Sequence, residues 1–330
     1  MTTICVDAMG GDREPSVVLD GIAQALEQDS DLSVLVAGPK DLVEPFCAHH
    51  ERAKALVCTE AIAMDEHPAD AVRAKRDSTI VRGCAAVRAG EADGFFSAGS
   101  TGAIFAAASM GVGRIRGIRR PAIAGVVPGA SGRRTVMLDL GANADCKPEM
   151  IVQFAQMGRA YSRVVLGVED PRVALLSNGE EETKGSELVL GYHKALAEAG
   201  SWFAGNAEGT DILAGTYDVI VADGFTGNVA LKSLEGTAKY ILGAVKQAVS
   251  SSKRSAIGAL LLKPALKALA HDLSGDELGG AILLGVKAPV LIGHGATSED
   301  AVKNGTIATA DAVRAHLVDK VAQAIGQGDD

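Results

Sequence analysis

Residues 3–12 read Thr3-Ile4-Cys5-Val6-Asp7-Ala8-Met9-Gly10-Gly11-Asp12, and a helical pattern from Pro15 to Gln28 follows them. An apolar, β-branched run that breaks at a glycine turn and resumes as a helix is one βα unit. The same grammar recurs along the chain. Short apolar runs predict strands at Leu32 to Val36, Gly94 to Ser97, Ala122 to Val127, Thr135 to Leu138, Val173 to Leu176, Val219 to Val221 and Val290 to Ile292. Helical patterns lie between them, as at Pro148 to Val165 and Asn228 to Ala248. Strands alternating with helices predict a three-layer α/β/α fold with a largely parallel sheet. Ligands of such sheets bind outside the carboxyl ends of the strands.

Polar, glycine-rich loops follow six of these strands: DAMGGD (7–12), SAGSTGA (97–103), DLGANAD (139–145), SNGEEETKGSE (177–187), DGFTGN (223–228) and GHGAT (293–297). Six such loops on one end of a sheet are expected to line a single cleft. The chain is 330 residues long, enough for one large α/β domain or two lobes around that cleft. No Pro/Ser-rich linker interrupts it.

The net charge of −9 opposes nonspecific nucleic-acid binding, and aromatic residues make up only 4% of the chain. Five scattered cysteines without a Cys-x-x-Cys pair predict reduced thiols and a cytoplasmic protein. There is no signal-like start and no apolar run of spanning length.

In SAGSTGA, Ser97, Ser100 and Thr101 supply hydroxyls, and Gly99 and Gly102 let a ligand approach the backbone. The helix that follows makes the loop an anion site. It lacks both the P-loop ending and the dinucleotide glycine spacing, so nicotinamide binding has little support. Asn143 offers donors and an acceptor to a carbonyl or phosphate, or else closes an Asx-turn. The acidic run Glu180-Glu181-Glu182 reads as a helix start, and Lys184 beside glycines as a phosphate or oxyanion contact. Asn228 reads as a helix cap, and Asp223 as a general base or metal ligand. His294, between two glycines, suits an anion contact. Arg73, Lys75 and Arg76 form a basic cluster, and Arg114 to Arg120 a second one.

Residues 250–273 form the other unusual stretch. Ile257, Leu260, Leu261, Leu262 and Leu266 alternate with lysines around Pro264. That pattern predicts an amphipathic helical hairpin lying on an anionic membrane surface, with a dimer contact or core helix pair as the competing assignment.

Taken in order, VDAMGGD, SAGSTGA, DLGAN, NGEEETKGSE, GNAEGTDIL, DGFTGNVALKSLEG, LLGV and IGHG resemble the bacterial PlsX phosphate acyltransferase family over about residues 4 to 316. The family usually carries Asn where this chain has Ser100, and Asn-Ile-Gly-Glu where it has Ser177 to Glu180. The resemblance implies a fold like that of isocitrate dehydrogenase and phosphotransacetylase, a homodimer and peripheral membrane association. It implies transfer of a fatty acyl group from acyl carrier protein to inorganic phosphate. The acyl phosphate would then pass to a membrane glycerol-3-phosphate acyltransferase.

On that basis phosphate is expected at Ser97, Gly99, Thr101, Gly102 and His294, with Lys184 beside it. Asn143 and Asn228 are the expected oxyanion donors, and Asp223 or Asp7 orients donors or accepts a proton. Arg73, Lys75 and Arg76 are expected to dock the acidic carrier protein, and the leucines of 257–266 to touch membrane. Asp12 is expected to cap the first helix. No cofactor is indicated: Asp139 and Asp223 could hold Mg²⁺, but no ligand spacing demands it. A small-substrate phosphotransacetylase-like or metal-dependent dehydrogenase-like enzyme, and a non-enzymatic scaffold that recruits acyl carrier protein, are the alternatives.

Overall fold

The structure, a computed structural model, describes residues 1–250, 258, 262–263, 279–295 and 297–326. The N-terminal half runs β1 (Thr2–Asp7), α1 (Pro15–Gln28), β2 (Leu32–Gly38), α2 (Lys40–Ala48), β3 (Ala53–Val57), α3 (Pro68–Ala74), α4 (Thr79–Ala89), β4 (Gly94–Ser97), α5 (Thr101–Gly111), β5 (Ala122–Pro128) and β6 (Arg134–Leu138). The remainder is α6 (Pro148–Tyr161), β7 (Val173–Leu176), α7 (Glu187–Ala199), β8 (Phe203–Ala207), α8 (Gly209–Ala214), β9 (Val219–Val221), α9 (Gly224–Ser250), β10 (Ala281–Leu284), β11 (Val290–Ile292), α10 (Glu299–Arg314) and α11 (Leu317–Gly326). Pro15 opens α1 at a position where its missing N–H costs nothing, as expected from the sequence.

All eleven strands form one sheet, in the order β3-β2-β1-β4-β11-β10-β5-β6-β9-β7-β8. Its two faces bury separate cores. Ile4 and Val6 face the layer of α1, α6, α10 and α11, whereas Cys5 and Phe95 face that of α4 and α5. This is the three-layer arrangement expected from the alternation of elements.

The expectation that six loops share one end of the sheet needs correction. The pairings β11–β10, β10–β5 and β5–β6 are antiparallel, and every other pairing is parallel. Two parallel half-sheets therefore run in opposite directions from a central β10–β5 pair. Their registers still bring the carboxyl ends together. Ser97 pairs with Ile292 and Ile292 with Ala281. One residue further, Ile282 pairs with Ala124, Ala124 with Leu138 and Leu138 with Val221. The last residues of β4, β11, β6 and β9 thus lie within about one residue of a common line across the sheet.

Three strands had no counterpart in the sequence assignment: β3 and β8, which are the two edges, and β10. The acidic run 180–182 is turn rather than helix. Helix α7 begins only at Glu187, where the Ser186 hydroxyl accepts from the Val189 N–H. The amphipathic segment 250–273, with Ile257, Leu260, Leu261 and Leu266, lies outside the described residues apart from Ser250, Gly258, Leu262 and Lys263. Leu262 is exposed and helical. All five cysteines are free thiols.

Packing of α4 on β4 leaves no space at Gly83, where a Cβ would enter the Phe95 ring and stand 3.2 Å from the Cys5 sulfur. Gly83→Ala should therefore lower stability by about 1–3 kcal/mol through overpacking, read as a fall in Tm of several degrees with the secondary-structure signal retained.

Candidate active site

A cavity of about 750 Å³ opens where the two half-sheets meet. Five of the six loops reach it: Asp12 from the first, Gly99, Thr101 and Gly102 from the second, Gly141 and Ala142 from the third, Asn228 from the fifth, and Gly293 to Gly295 from the sixth. Most of the remaining wall is apolar and comes from β5 and α9, including Val126, Val127, Leu231, Leu234 and Ile241.

The glycines act through close approach. A Cβ on Gly10 would stand 2.9 Å from the backbone nitrogens of Ala98 and Gly99, so the first loop lies directly on the second. Gly11 has φ +113°, and the Asp12 N–H that follows donates to the Gly295 carbonyl at 2.7 Å. The β1, β4 and β11 loops are thereby joined into one rim. Gly102 packs on Pro68 at the start of α3. Helix α5 starts at Thr101 without a side-chain cap, so its first-turn N–H groups are left for a ligand.

Beneath this rim lie residues that hold it. Asp7 is buried, and its carboxylate accepts from the Ser97 hydroxyl at 2.7 Å and from the Met9 N–H at 3.0 Å. The Ser97 oxygen in turn accepts from the Gly99 N–H at 3.0 Å. Burial raises the Asp7 carboxyl above its ordinary range, while hydrogen bonds from Ser97, Thr79 and Met9 pull the other way. Across the cleft, Asp139 is fully buried and accepts from the N–H groups of Ile123 (3.0 Å), Ala142 (3.1 Å) and Asn143 (2.7 Å) and from the Asn143 amide (2.9 Å). Burial pushes this carboxyl up as well. Asn143 also donates to the Pro121 carbonyl, at 2.8 Å.

Several expectations for individual residues change accordingly. Ser97 and Asn143 spend their polar hydrogens inside the protein, as supports of their loops. Asp223 caps α9, accepting from the Thr226 N–H at 2.8 Å and its hydroxyl at 3.0 Å. Asn228, expected to be that cap, is on the second turn instead. It lines the cavity and gives one amide hydrogen to the Leu140 carbonyl at 3.1 Å. Asp12 does not cap α1, whose N-cap is Glu14, and it faces the cavity. Lys184 is exposed and does not line the cavity. Its side chain passes over Gly179 in the β7 loop, the one loop of the six that stays outside.

Lys75 is half-buried and bonded to Glu66 and the Ala61 carbonyl, so it is not available to a partner, whereas Arg73 and Arg76 are exposed. The structure therefore brings together Gly99, Thr101, Gly102, His294 and Asn228 from among the expected residues. It adds Lys232 and Glu235. Glu235 accepts from Lys232 at 2.7 Å and stands 3.9 Å from the His294 ring. These two sit in the quoted run DGFTGNVALKSLEG. The i, i+3 spacing of Asn228, Leu231 and Leu234 was the signal that one face of this helix lines the site. Among the described residues no group of three or more His, Cys, Asp or Glu is placed to hold a metal ion.

The geometry separates the two carboxylates of the first loop. Asp7→Asn should destabilise the fold and lower Tm by several degrees, because an amide there must turn an N–H group toward donors. Asp12→Asn should leave Tm within about a degree, since the side chain is exposed. Thermal melts of the two variants check this.

The family described as "Fatty acid synthesis protein" matches residues 2–320. Phosphate acyltransferases of Pelotomaculum thermopropionicum and an Anaeromyxobacter species (strain Fw109-5) are similar to the chain. The first is 45% identical, covering 98% of this chain and 94% of the relative; the second is 43% identical, covering 98% and 90%. In fold, the chain is similar to a phosphotransacetylase from Streptococcus pyogenes, with a TM-score of 0.60 at 17% identity over 95% of this chain and 94% of that one. A phosphotransacetylase from Staphylococcus aureus gives 0.57 at 18% identity, with 94% of each chain covered.

Proposed function

The chain belongs to the phosphate acyltransferase family, acyltransferases of fatty acid and phospholipid synthesis, and we propose that its cleft transfers a fatty acyl group from acyl carrier protein to inorganic phosphate. A phosphate oxygen attacks the thioester carbonyl carbon. The carbonyl becomes a tetrahedral oxyanion, which collapses as the carbon–sulfur bond breaks, and the leaving thiolate takes the proton that hydrogen phosphate gives up. Phosphate is already an anionic nucleophile at neutral pH, so no enzyme nucleophile is needed. What the cleft must supply is two anions held close together and donors for the oxyanion.

Phosphate is assigned to the uncapped start of α5, at Gly99, Thr101 and Gly102, with Lys232 supplying positive charge and His294 a ring nitrogen nearby. Asn228 is assigned to the oxyanion, through the amide hydrogen that Leu140 does not take. Asp7, Asp139, Asn143 and Asp223 are positioning residues that fix the loops around these donors. The observation that carries the proposal is one cavity that joins a glycine rim and an uncapped helix start to a largely apolar wall. A small-substrate transferase would have no use for that wall.

Helix α3 packs through Pro68 against the start of α5 at the glycine rim, and the exposed Arg73 in its last turn and Arg76 just beyond it support docking of an acidic carrier protein on that side. No helix among the described residues is long and apolar enough to cross a membrane. Peripheral membrane contact is proposed for the leucine-rich segment 250–273 on its sequence pattern, where it would pass product to a membrane glycerol-3-phosphate acyltransferase. A homodimer is proposed on the apolar side chains that α9 exposes, among them Phe225, Val229 and Tyr240.

Incubation of a long-chain acyl carrier protein thioester with the enzyme should release free carrier protein and acyl phosphate only when phosphate is present. Phosphate-independent thioester loss would overturn the assignment. Asn228→Ala should lower kcat by about 10²- to 10³-fold, the usual cost of an oxyanion donor. Arg73→Glu with Arg76→Glu should raise KM for the carrier substrate, and in the unaltered protein KM should rise with added salt. A KM insensitive to salt would point to an apolar contact instead.

A further inference from the structure

We propose that the trough between β5 and α9 measures the acyl chain, with Ala238 as the residue that keeps it open to long chains; this rests on the acyltransferase assignment above. The cavity lining changes character along α9: Asn228, Lys232 and Glu235, interleaved with Leu231 and Leu234, carry its amide and charged groups up to residue 235, and Thr237, Ala238 and Ile241 beyond them carry no charge. From Asn228 to Ile241 is thirteen residues, about 20 Å of helix. On the opposite wall, Ile123 to Pro128 of β5 line the same cavity, apart from Ala124, over roughly 17 Å of strand.

The polar end is fixed by chemistry, because the thioester carbonyl must meet phosphate at the glycine rim. The acyl chain then has one direction to run, along the apolar wall toward Leu213 and Ile241. These two side chains are 44% and 52% exposed, so the trough is open at its far end and apolar at the opening. Extra methylenes are buried as far as Ile241 and gain nothing beyond it. Past Glu235 the helix wall thins to Ala238, the smallest side chain that α9 gives the cavity, whereas Gly125 on the strand lies nearer the rim, one residue beyond Ala124, which pairs with the last residue of β6. A Cβ at Gly125 would stand 2.7 Å from Leu140, so the strand is packed against the β6 loop there, and the width of the trough further along depends on the small side chain of Ala238.

The proposal is tested by measuring kcat/KM for butyryl, octanoyl and palmitoyl carrier protein with the full-length enzyme. In the unaltered protein kcat/KM should rise from butyryl to palmitoyl. In Ala238→Phe the palmitoyl-to-butyryl ratio should fall at least tenfold. In Ile241→Ser, a change at a half-exposed position, it should fall about threefold, with octanoyl against butyryl unchanged. Equal ratios in all three proteins would overturn the chain-measuring role while leaving the transferase assignment standing. No phosphate-dependent acyl phosphate from any chain length in the unaltered protein would overturn the assignment itself. Thermal melts show whether each variant is folded. If Ala238→Phe does not fold, the Ile241→Ser ratio decides.

Discussion

The site depends on a reversal of strand direction at the centre of the sheet. In a sheet parallel throughout, the loops after β6 and β9 would open on the same edge as those after β1 and β4, spread along it at strand spacing. The antiparallel β10–β5 pair turns one half through 180°, and the registers then set carboxyl ends against carboxyl ends. Loops from distant parts of the chain consequently face each other across a cleft. The pair itself relies on two glycines. Gly279 and Gly280 enter β10 with φ of +71° and +128°, and a side chain on Gly280 would collide with the backbone of Ile292. Only a bare backbone lets β10 begin against the end of β11.

A division of labour follows from burial. The carboxylates most removed from water, Asp7 and Asp139, hold loops and are not part of the cavity wall. Each takes hydrogen bonds from loop N–H or hydroxyl groups, which fixes the direction in which the neighbouring backbone points. Isolated in an apolar interior, such groups would be costly; surrounded by donors, they hold the rim rigid. At the glycine rim the surface offered to a ligand is then made mainly of backbone, the Thr101 hydroxyl and one helix end. Holding two anions together asks for that composition, because few carboxylates then face them.

Much of the architecture was legible from composition and periodicity, and what was missed has physical reasons. Central strands such as β1 are buried on both faces and read as unbroken apolar runs. The edge β3 is buried only in part, so Ala53-Lys54-Ala55 carries no apolar signature, and in the edge β8 the buried Asn206 is polar because its side chain bonds His193 and the Glu181 carbonyl. The loops that form the rim could be read from their glycines and hydroxyls. Roles within them could not, because a buried Asp7 and an exposed Asp12 look alike until burial is known. Asp223 and Asn228 exchanged roles because α9 begins four residues earlier than its apolar pattern suggests. Lys184 stayed outside because the sequence places a loop after a strand without fixing how far it folds over the cleft.

Among the described residues, helix α9 is most firmly anchored at its start. Of its 27 residues only Gly224 and Gly227 are buried, pressed against the backbone of Asn143 and Asp139. Beyond them it rests on the body of the protein through partly buried side chains such as Leu231 and Leu234. The tightest contacts of the helix are thus at the reacting end. Any displacement of the distal part would change the width of the apolar trough far more than the position of Asn228, which is one residue beyond Gly227. Access for a bulky, greasy substrate and constancy of the reacting geometry are thus assigned to opposite ends of one helix.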